Sequence, residues 1–324
     1  MCGIVGAAAQ RNVVPILIEG LRKLEYRGYD SAGIALNNGD IERIRSVGRV
    51  ADLQARADQE GAQAPTGIAH TRWATHGGVN EVNAHPHASS GHGASVSVVH
   101  NGIIENHEVL RNRLIEAGYR FESETDTEVI AHLLHSLLRQ GLRLFEAVQR
   151  AVRELKGAYA IAAISRAEPG TVVGSRCGAP LLLGVGHEGR GDGENFLASD
   201  TSALLQVTRH VAYLEEGDVA EIRSDRYRIV NAQGAQVNRP VILSQLSADA
   251  IELGHHAHYM QKEIFEQPGA IANTFEMLLG ASSIEPGLFG ADAKPILSRA
   301  RQVLILACGT SYHAGCVARY WLES

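Results

Sequence analysis

The sequence has few of the features that mark secreted, membrane and nucleic-acid-binding proteins. Only four of its 324 residues are cysteine, too few for a disulfide scaffold. No uninterrupted apolar stretch reaches the ~18 residues of a membrane helix, and the first 30 residues carry Arg11, Glu19, Arg22 and Lys23, which rule out a signal-peptide core. The 36 acidic side chains outnumber the 30 basic ones, so no nucleic-acid or membrane partner is expected. We therefore expect a cytoplasmic protein, most simply an enzyme.

The order of hydrophobic patterns predicts a layered α+β domain that ends near residue 240. Apolar runs predict strands near residues 4–7, 67–70 and 96–100, and Asn38-Gly39 is typical of a hairpin turn. Helical spacing predicts a helix after Asn12 and three more between about residues 110 and 155, followed by a second series of short strands. Strands, helices and strands in this order favour a layered arrangement.

The helix that starts near residue 127 carries its own start signal. Thr125 and Glu128 have the spacing of a capping box, in which each side chain bonds the other residue's backbone N–H. The sequence therefore predicts that these two residues cap this helix.

The end of the chain predicts the start of a second domain. Residues 241–300 form a less regular connecting segment, and Val303-Leu304-Ile305-Leu306-Ala307 predicts a fully buried strand. Cys308-Gly309-Thr310-Ser311 then predicts a turn into a helix from about Tyr312. Because a parallel sheet needs further strands, residues 301–324 are expected to be only the beginning of an α/β module.

Cys2 is the leading candidate nucleophile. Removal of Met1 would leave it with a thiol and its own free α-amine, whose pKa of about 7.7–8 suits a general base. An N-terminal amine is one of the known ways to activate a weak nucleophile. Cys177 and Cys308 lack a nucleophile-elbow pattern. An inert small residue on a strand is the alternative interpretation of Cys2.

Polar turns at two strand ends supply the other groups that amide hydrolysis needs. The Asn101 side-chain amide and the Gly102 backbone N–H are suitable oxyanion donors. Arg72 offers a fork for a substrate carboxylate, and Asp126 an anion for a substrate amine. A surface arginine and a helix-capping aspartate are the alternatives for these two residues.

Histidines are concentrated in one part of the chain, which raises a metal site as a rival hypothesis. The stretch from residue 70 to residue 107 contains His70, His76, His85, His87, His92, His100 and His107. There is no His-Glu-x-x-His helix and no Cys-x-x-Cys pair. We therefore predict neither a metal site nor a cofactor, there or at His255, His256 and His258.

Together these segments resemble the glucosamine-6-phosphate synthase family, the glutamine–fructose-6-phosphate aminotransferases (isomerizing). The resemblance covers essentially the whole chain and rests on the segments at residues 1–6, 24–33, 70–77, 82–87, 100–106, 123–128, 258–268 and 307–312. It implies a four-layer αββα sandwich of the N-terminal-nucleophile hydrolase type, the glutaminase domain, over residues 1–240. An incomplete sugar-isomerase module would follow the connecting segment.

The resemblance also implies a role for each site residue. Cys2 would attack the amide of L-glutamine to form a thioester and release ammonia, with Asn101 and Gly102 as the oxyanion hole. Arg72 and Asp126 would hold the substrate's carboxylate and amine. Thr75, His76 and Gly77 would line the pocket, and Trp73 would gate the ammonia path.

The last residues limit the expected activity. Thr310 and Ser311 match sugar-contacting positions, whereas the phosphate loop and the isomerising residues of the family would lie beyond Ser324. We therefore expect glutaminase activity but not full synthase activity from this chain alone, with fructose 6-phosphate as a ligand only if the rest of the isomerase domain is supplied. The full-length family allows a homodimer. The alternative is a non-catalytic fragment or partner subunit that associates through residues 301–324.

Overall fold

The computed structural model describes residues 2–74, 77–91, 93–186, 193–244, 256–276 and 293–324. The chain divides into two compact units, Met1–Gly254 and His255–Ser324. Each unit is described by itself below.

The first unit contains two sheets whose neighbouring strands pair in antiparallel fashion. The eight-stranded sheet consists of β1 (Gly3–Ala9), β2 (Ser31–Asn37), β3 (Ile41–Val47), β4 (Thr66–Arg72), β9 (Leu182–Val185), β10 (Glu194–Ala198), β11 (His210–Tyr213) and β15 (Ile242–Leu243), in the order β15-β11-β9-β10-β1-β4-β2-β3. The seven-stranded sheet consists of β5 (His87–Gly91), β6 (Ala94–Ile104), β7 (Gly157–Ser165), β8 (Val172–Cys177), β12 (Val219–Ile222), β13 (Tyr227–Val230) and β14 (Gln236–Val237), in the order β14-β13-β12-β8-β7-β6-β5.

Helices cover the outer faces of both sheets. They are α1 (Val14–Leu24), α2 (Val50–Gln59), α3 (His107–Glu116), α4 (Thr127–Arg139) and α5 (Leu144–Ala151). One apolar cluster joins α1 and α2 to the eight-stranded sheet, and a second joins α3, α4 and α5 to the seven-stranded sheet. A third cluster lies between the sheets. The layers therefore run helix, sheet, sheet, helix.

Strand β1 shows how the sequence produces these layers. Its side chains alternate between the two faces of the sheet, so Val5 and Ala7 pack in the cluster with α1 while Ile4 and Ala8 pack between the sheets. All seven residues of β1 are buried. A strand buried on both faces must be apolar throughout, as this one is.

The α+β class and the Asn38-Gly39 hairpin are confirmed. Asn37 pairs with Ile41, and Gly39 has a φ of +113°, a conformation that favours glycine. The predicted capping box of Thr125 and Glu128 was wrong. Glu128 instead accepts hydrogen bonds from the backbone N–H groups of Glu122 and Ser123, because the chain before α4 turns back toward the helix.

The second unit contains helices α6 (Tyr259–Glu276), α7 (Ala293–Leu297) and α8 (Gly309–Glu323). The predicted buried strand at 303–307 was wrong: these residues have no regular structure, and Leu304 is 79% exposed. A strand needs neighbouring strands for its hydrogen bonds and for cover, and no described segment supplies them. Helix α8 begins at Gly309 rather than near Tyr312. No described helix is both long enough and apolar enough to cross a membrane.

Candidate active site

Cys2 lies directly before β1, beside the end of β4. The pairing of Gly3 with Thr71 places the Cys2 thiol against the backbone of Trp73, whose N–H donates to Sγ at 3.3 Å. Gly3 permits this close pairing, since a Cβ there would lie 2.8 Å from the Thr71 hydroxyl oxygen. The register of two strands therefore fixes the position of the thiol.

The surroundings of Cys2 act on its thiol in opposite directions. Burial raises the pKa of the thiol, while the Trp73 N–H and the positive charge of Arg72 lower it, and burial prevails. The thiol is therefore protonated at neutral pH. Because a thiolate is the reactive species, a nearby base has to take the proton during attack.

Asn101 on β6 contacts Cys2 from the opposite sheet. Its Nδ2 donates to the Cys2 carbonyl oxygen at 3.1 Å, and its Oδ1 lies 3.0 Å from Nε2 of His70. The same Nε2 lies 3.0 Å from the His100 carbonyl oxygen. Both neighbours of Nε2 are acceptors, so His70 carries its proton there. This donor fixes the amide with its NH₂ group toward Cys2.

Gly102 follows Asn101 in a backbone conformation that favours glycine. Its φ is +124°, and a Cβ would lie only 2.0 Å from the carbonyl oxygen of Ala158 on β7. Any side chain would force β6 and β7 apart at the residue next to Asn101. Glycine is therefore required for the local geometry, whatever the role of its N–H group.

Arg72, at the end of β4, is only 3% exposed. Its Nη1 and Nη2 donate to the carbonyl oxygens of Gly78 and Gly77 at 3.2 and 3.3 Å. Burial lowers the pKa of its guanidinium, while Cys2, Asp30, Asp126 and Glu124 oppose that effect. The Arg72 cation thus lies close to the Cys2 thiol and to three carboxylates.

The loop at Gly77-Gly78 is held by Asn83 and Glu124. The Glu124 carboxylate accepts from the Gly78 N–H at 3.2 Å and from Asn83 Nδ2 at 3.0 Å. These two bonds lower the pKa of Glu124. Gly77 has a φ of +77°, and a Cβ there would lie 2.7 Å from Asn83 Nδ2. The two carbonyl groups that accept hydrogen bonds from Arg72 are therefore fixed in place.

Asp126 occupies the residue before α4 and is buried. Its Oδ2 accepts from the Ile104 N–H at 2.8 Å, and its Oδ1 lies 4.0 Å from Nδ1 of His100. The side chain makes no capping bond to α4. It therefore connects the end of β6 to the start of α4, so its carboxylate stays in the site rather than at the helix end.

Three buried histidines form a stacked column behind these residues. The ring of His85 stacks on His70 at 4.2 Å and meets His87 edge-on at 4.8 Å. Burial lowers the pKa of His70 and of His87 to about 3, and that of His85 well below its ordinary value. All three rings are therefore neutral at pH 7.

Threonine hydroxyls, rather than a shared ion, connect these rings. Thr127 Oγ1 lies 2.8 Å from Nε2 of His85 and 2.9 Å from Nδ1 of His100, and Thr125 Oγ1 lies 3.0 Å from Nε2 of His87. No group of His, Cys, Asp or Glu within the described ranges could hold a metal ion. His70, His85 and His87 are instead hydrogen-bonded to Asn101, Thr127 and Thr125.

The remaining predicted residues differ in their placement. Trp73 is 44% exposed and meets the ring of Tyr29 edge-on at 5.4 Å. Thr75 and His76 lie outside the described residues, as do His92 and His255. Thr310 and Ser311 lie in the first turn of α8, in the second unit, with exposed side chains.

Four residues near the site were not among the predicted site residues. The Asp30 carboxylate accepts from the Ala74 N–H at 2.8 Å, and a Cβ at Gly28 would lie 2.9 Å from the Arg72 carbonyl carbon. Asn83 and Glu124 hold the glycine loop. The signal for all four was their position within segments 24–33, 82–87 and 123–128, which carry the family resemblance. Which member of such a segment contacts the site depends on long-range packing.

A family model for a glutamine amidotransferase domain matches residues 70–206. Glutamine–fructose-6-phosphate aminotransferases (isomerizing) of Xylella fastidiosa and Pseudomonas aeruginosa are 56% and 54% identical to the chain over its whole length, which corresponds to 52% of theirs. The chain therefore spans about half the length of these curated relatives.

Two solved structures are similar in fold. The Bacillus subtilis glutamine phosphoribosylpyrophosphate amidotransferase, solved with ADP and GMP, superposes with a TM-score of 0.61 at 25% identity, over 71% of this chain and 49% of that one. A structure described as the allosteric regulatory enzyme of purine biosynthesis matches with a TM-score of 0.61 at 26% identity over the same shares.

The domain match, the two facing sheets and these neighbours define the class: residues 70–206 match a glutamine amidotransferase domain, and the fold is similar to that of a solved glutamine phosphoribosylpyrophosphate amidotransferase. Along its whole length the chain is, more particularly, a relative of the glutamine–fructose-6-phosphate aminotransferases (isomerizing).

Proposed function

We propose that the first unit hydrolyses the side-chain amide of L-glutamine at Cys2. The observation that supports this most directly is the Asn101 amide, which bonds the Cys2 backbone at 3.1 Å and is oriented by His70. The backbone of the proposed nucleophile and the side chain of the proposed oxyanion donor thus share a hydrogen bond between the two sheets. Acyl transfer needs this pairing of groups.

The proposed reaction begins with removal of Met1, which frees the Cys2 α-amine. The amine takes the thiol proton as Sγ attacks the amide carbon, and Asn101 Nδ2 and the Gly102 N–H stabilise the oxyanion. The amine then passes the proton to the leaving nitrogen, which departs as ammonia and leaves a thioester. Water attacks the thioester, and glutamate departs as the thiol re-forms.

Arg72 and Asp126 are proposed to hold the substrate's carboxylate and amine. Arg72 is buried and held by the glycine loop, so its fork can be aimed with little loss of side-chain entropy. Asp126 is likewise fixed by the Ile104 N–H. Thr75, His76 and Gly77 are proposed to line the same pocket, and Trp73 to gate the exit of ammonia.

For the longer protein that such relatives represent, we propose transfer of this ammonia to fructose 6-phosphate in the cytoplasm. The names of the relatives support the acceptor. Residues 1–240 would then be the glutaminase domain and 241–300 a connecting segment. Residues 301–324 would begin the sugar-isomerase module, with Thr310 and Ser311 as sugar contacts.

The test compares Cys2→Ala with Cys177→Ala, since both cysteines are half-buried and neither forms a disulfide. Intact mass should show loss of Met1. Glutamate release from L-glutamine should disappear in Cys2→Ala and persist in Cys177→Ala. An electrophilic glutamine analogue should label Cys2 once. Undiminished hydrolysis by Cys2→Ala would contradict the proposal, and so would retention of Met1 in fully active protein.

A further inference from the structure

The first unit contains a cavity whose lining includes none of the residues proposed to act on glutamine. Its volume is about 580 Å³, within the range of about 300–1,000 Å³ that small-molecule sites occupy. Strands β3 and β5, helix α4 and the residues after α3 surround it. The charged residues of its lining are Arg43, Arg45, Arg120, Arg139, Glu122 and Glu128.

The hydrogen bonds of Arg43 and Arg45 go to backbone carbonyl groups rather than to carboxylates. Arg43 donates to the carbonyl oxygen of Pro86, and Arg45 to those of Val82 and Ala84. Within the described part of the chain, none of the four forms an ion pair. A guanidinium has five N–H donors, so donor groups of Arg43 and Arg45 remain available to a ligand.

The buried carboxylate of the lining is already occupied. Glu128 accepts hydrogen bonds from the backbone N–H groups of Glu122 and Ser123 and from the Ser123 hydroxyl at 2.6 Å. Burial raises the pKa of Glu128, but these bonds and His132 outweigh it and lower the pKa to about 2. Four arginines against two glutamates therefore leave an excess of two positive charges around the cavity.

We propose that this cavity binds a small phosphomonoester. A phosphate monoester carries a charge of about −1.5 to −2 at pH 7, which matches the excess positive charge, and its oxygens suit the arginine fork. A volume of about 580 Å³ also leaves room for an organic group beside the phosphate. Burial and the charge of Arg45 lower the pKa of Arg43, against the opposing effect of Glu122 and Glu128. Burial lowers the pKa of Arg45, against the opposing effect of Glu81 and Glu122. A bound dianion would add to the negative charge that opposes both shifts.

The test is isothermal titration calorimetry with glycerol 3-phosphate as the probe, and with glycerol and succinate for comparison. Arg120→Gln/Arg139→Gln removes two arginines whose side chains are exposed, so the fold should survive. Arg226→Gln is the matched control, since Arg226 pairs with Asp225 in the turn before β13. We expect the double variant to bind glycerol 3-phosphate at least ten times more weakly than the parent, and Arg226→Gln to bind it as the parent does.

A second variant tests whether the planar guanidinium groups are needed to bind the phosphate or whether positive charge alone is sufficient. Arg43→Lys/Arg45→Lys keeps both charges but loses the planar fork, so binding should weaken several-fold. Equal affinity in all variants, no saturable binding at millimolar glycerol 3-phosphate, or equal binding of glycerol would each overturn the site. Succinate binding as tight as that of glycerol 3-phosphate would overturn the phosphomonoester class.

Discussion

The arrangement around Asn101 leads to a quantitative prediction for Asn101→Ala. The substitution removes the bond to the Cys2 carbonyl and the acceptor for His70. It also removes the Nδ2 group that is proposed to stabilise the oxyanion. Catalysis and stability should therefore both fall, by amounts that can be calculated separately.

The catalytic loss follows from the removal of one oxyanion donor, which costs about 100- to 1,000-fold in kcat. The KM for L-glutamine should change little, since the donor acts mainly on the transition state. Two lost hydrogen bonds at about 1 kcal/mol each destabilise the fold by about 2 kcal/mol. For a unit of this size, that lowers Tm by about 4–8 °C.

Steady-state glutamate release and thermal unfolding test the two parts. Asn101→Asp is the informative companion, because it retains a similar shape but places a negative charge where the oxyanion forms. It should lose more kcat than Asn101→Ala at a similar Tm. A kcat within about twofold of the parent, with only KM raised, would refute the role of Asn101 as an oxyanion donor.

Three further predictions follow from other residues. Arg72→Gln should raise the KM for glutamine by about 10- to 100-fold, the loss in affinity expected when a hydrogen bond to a charged group is removed, and should lower kcat by less. An unchanged KM would mean that another residue binds the substrate's carboxylate. Gly102→Ala should lower Tm strongly, because the new Cβ would clash with the Ala158 carbonyl oxygen. Gly118 also has a positive φ, +90°, but open space around it, so Gly118→Ala should destabilise the fold by only about 1 kcal/mol. Equal Tm losses in the two variants would contradict the predicted clash. Finally, His87 has a pKa of about 3 when folded and about 6.5 when unfolded. Below pH ~6.5 the unfolded chain therefore binds more protons than the folded chain, and the urea midpoint of unfolding should decline from there toward pH ~3. The decline should be less steep in His87→Gln. A urea midpoint of the parent that does not change with pH in this range would exclude the linkage.

Local pattern was sufficient for much of the fold. Helix α4 and the β2–β3 hairpin have strong periodicity or a specific turn, so the sequence alone predicted them. Helix α2 was not predicted, because its buried residues are only Val50, Leu53 and Ala57. The strand expected at 303–307 shows the opposite error: an apolar run reveals hydrophobicity, but a strand also requires partners that the run itself does not specify.

The site was predictable in residue type but not in arrangement. Cys2, Arg72 and Asn101 were recognisable as groups that amide hydrolysis needs. Asn83 and Glu124 hold the glycine loop next to Arg72. This arrangement could not be predicted, because the contacts join segments about 40 residues apart. Likewise, an arginine-lined cavity has no local pattern, since its members come from β3, from the residues after α3, and from α4.

The neutral histidines account for how a site divided between two sheets stays aligned. Cys2 and Arg72 lie at the ends of β1 and β4, two inner strands of one sheet, and Asn101 lies on the other sheet. A small slip between the sheets would therefore separate the proposed nucleophile from the proposed oxyanion donor. Apolar side chains between sheets resist separation but not sliding, because their contacts are non-directional. The hydrogen bonds from His70 to Asn101 and to the His100 carbonyl are directional and cross that gap. Polar groups here cost stability in acid, yet they hold the two halves of the site in register.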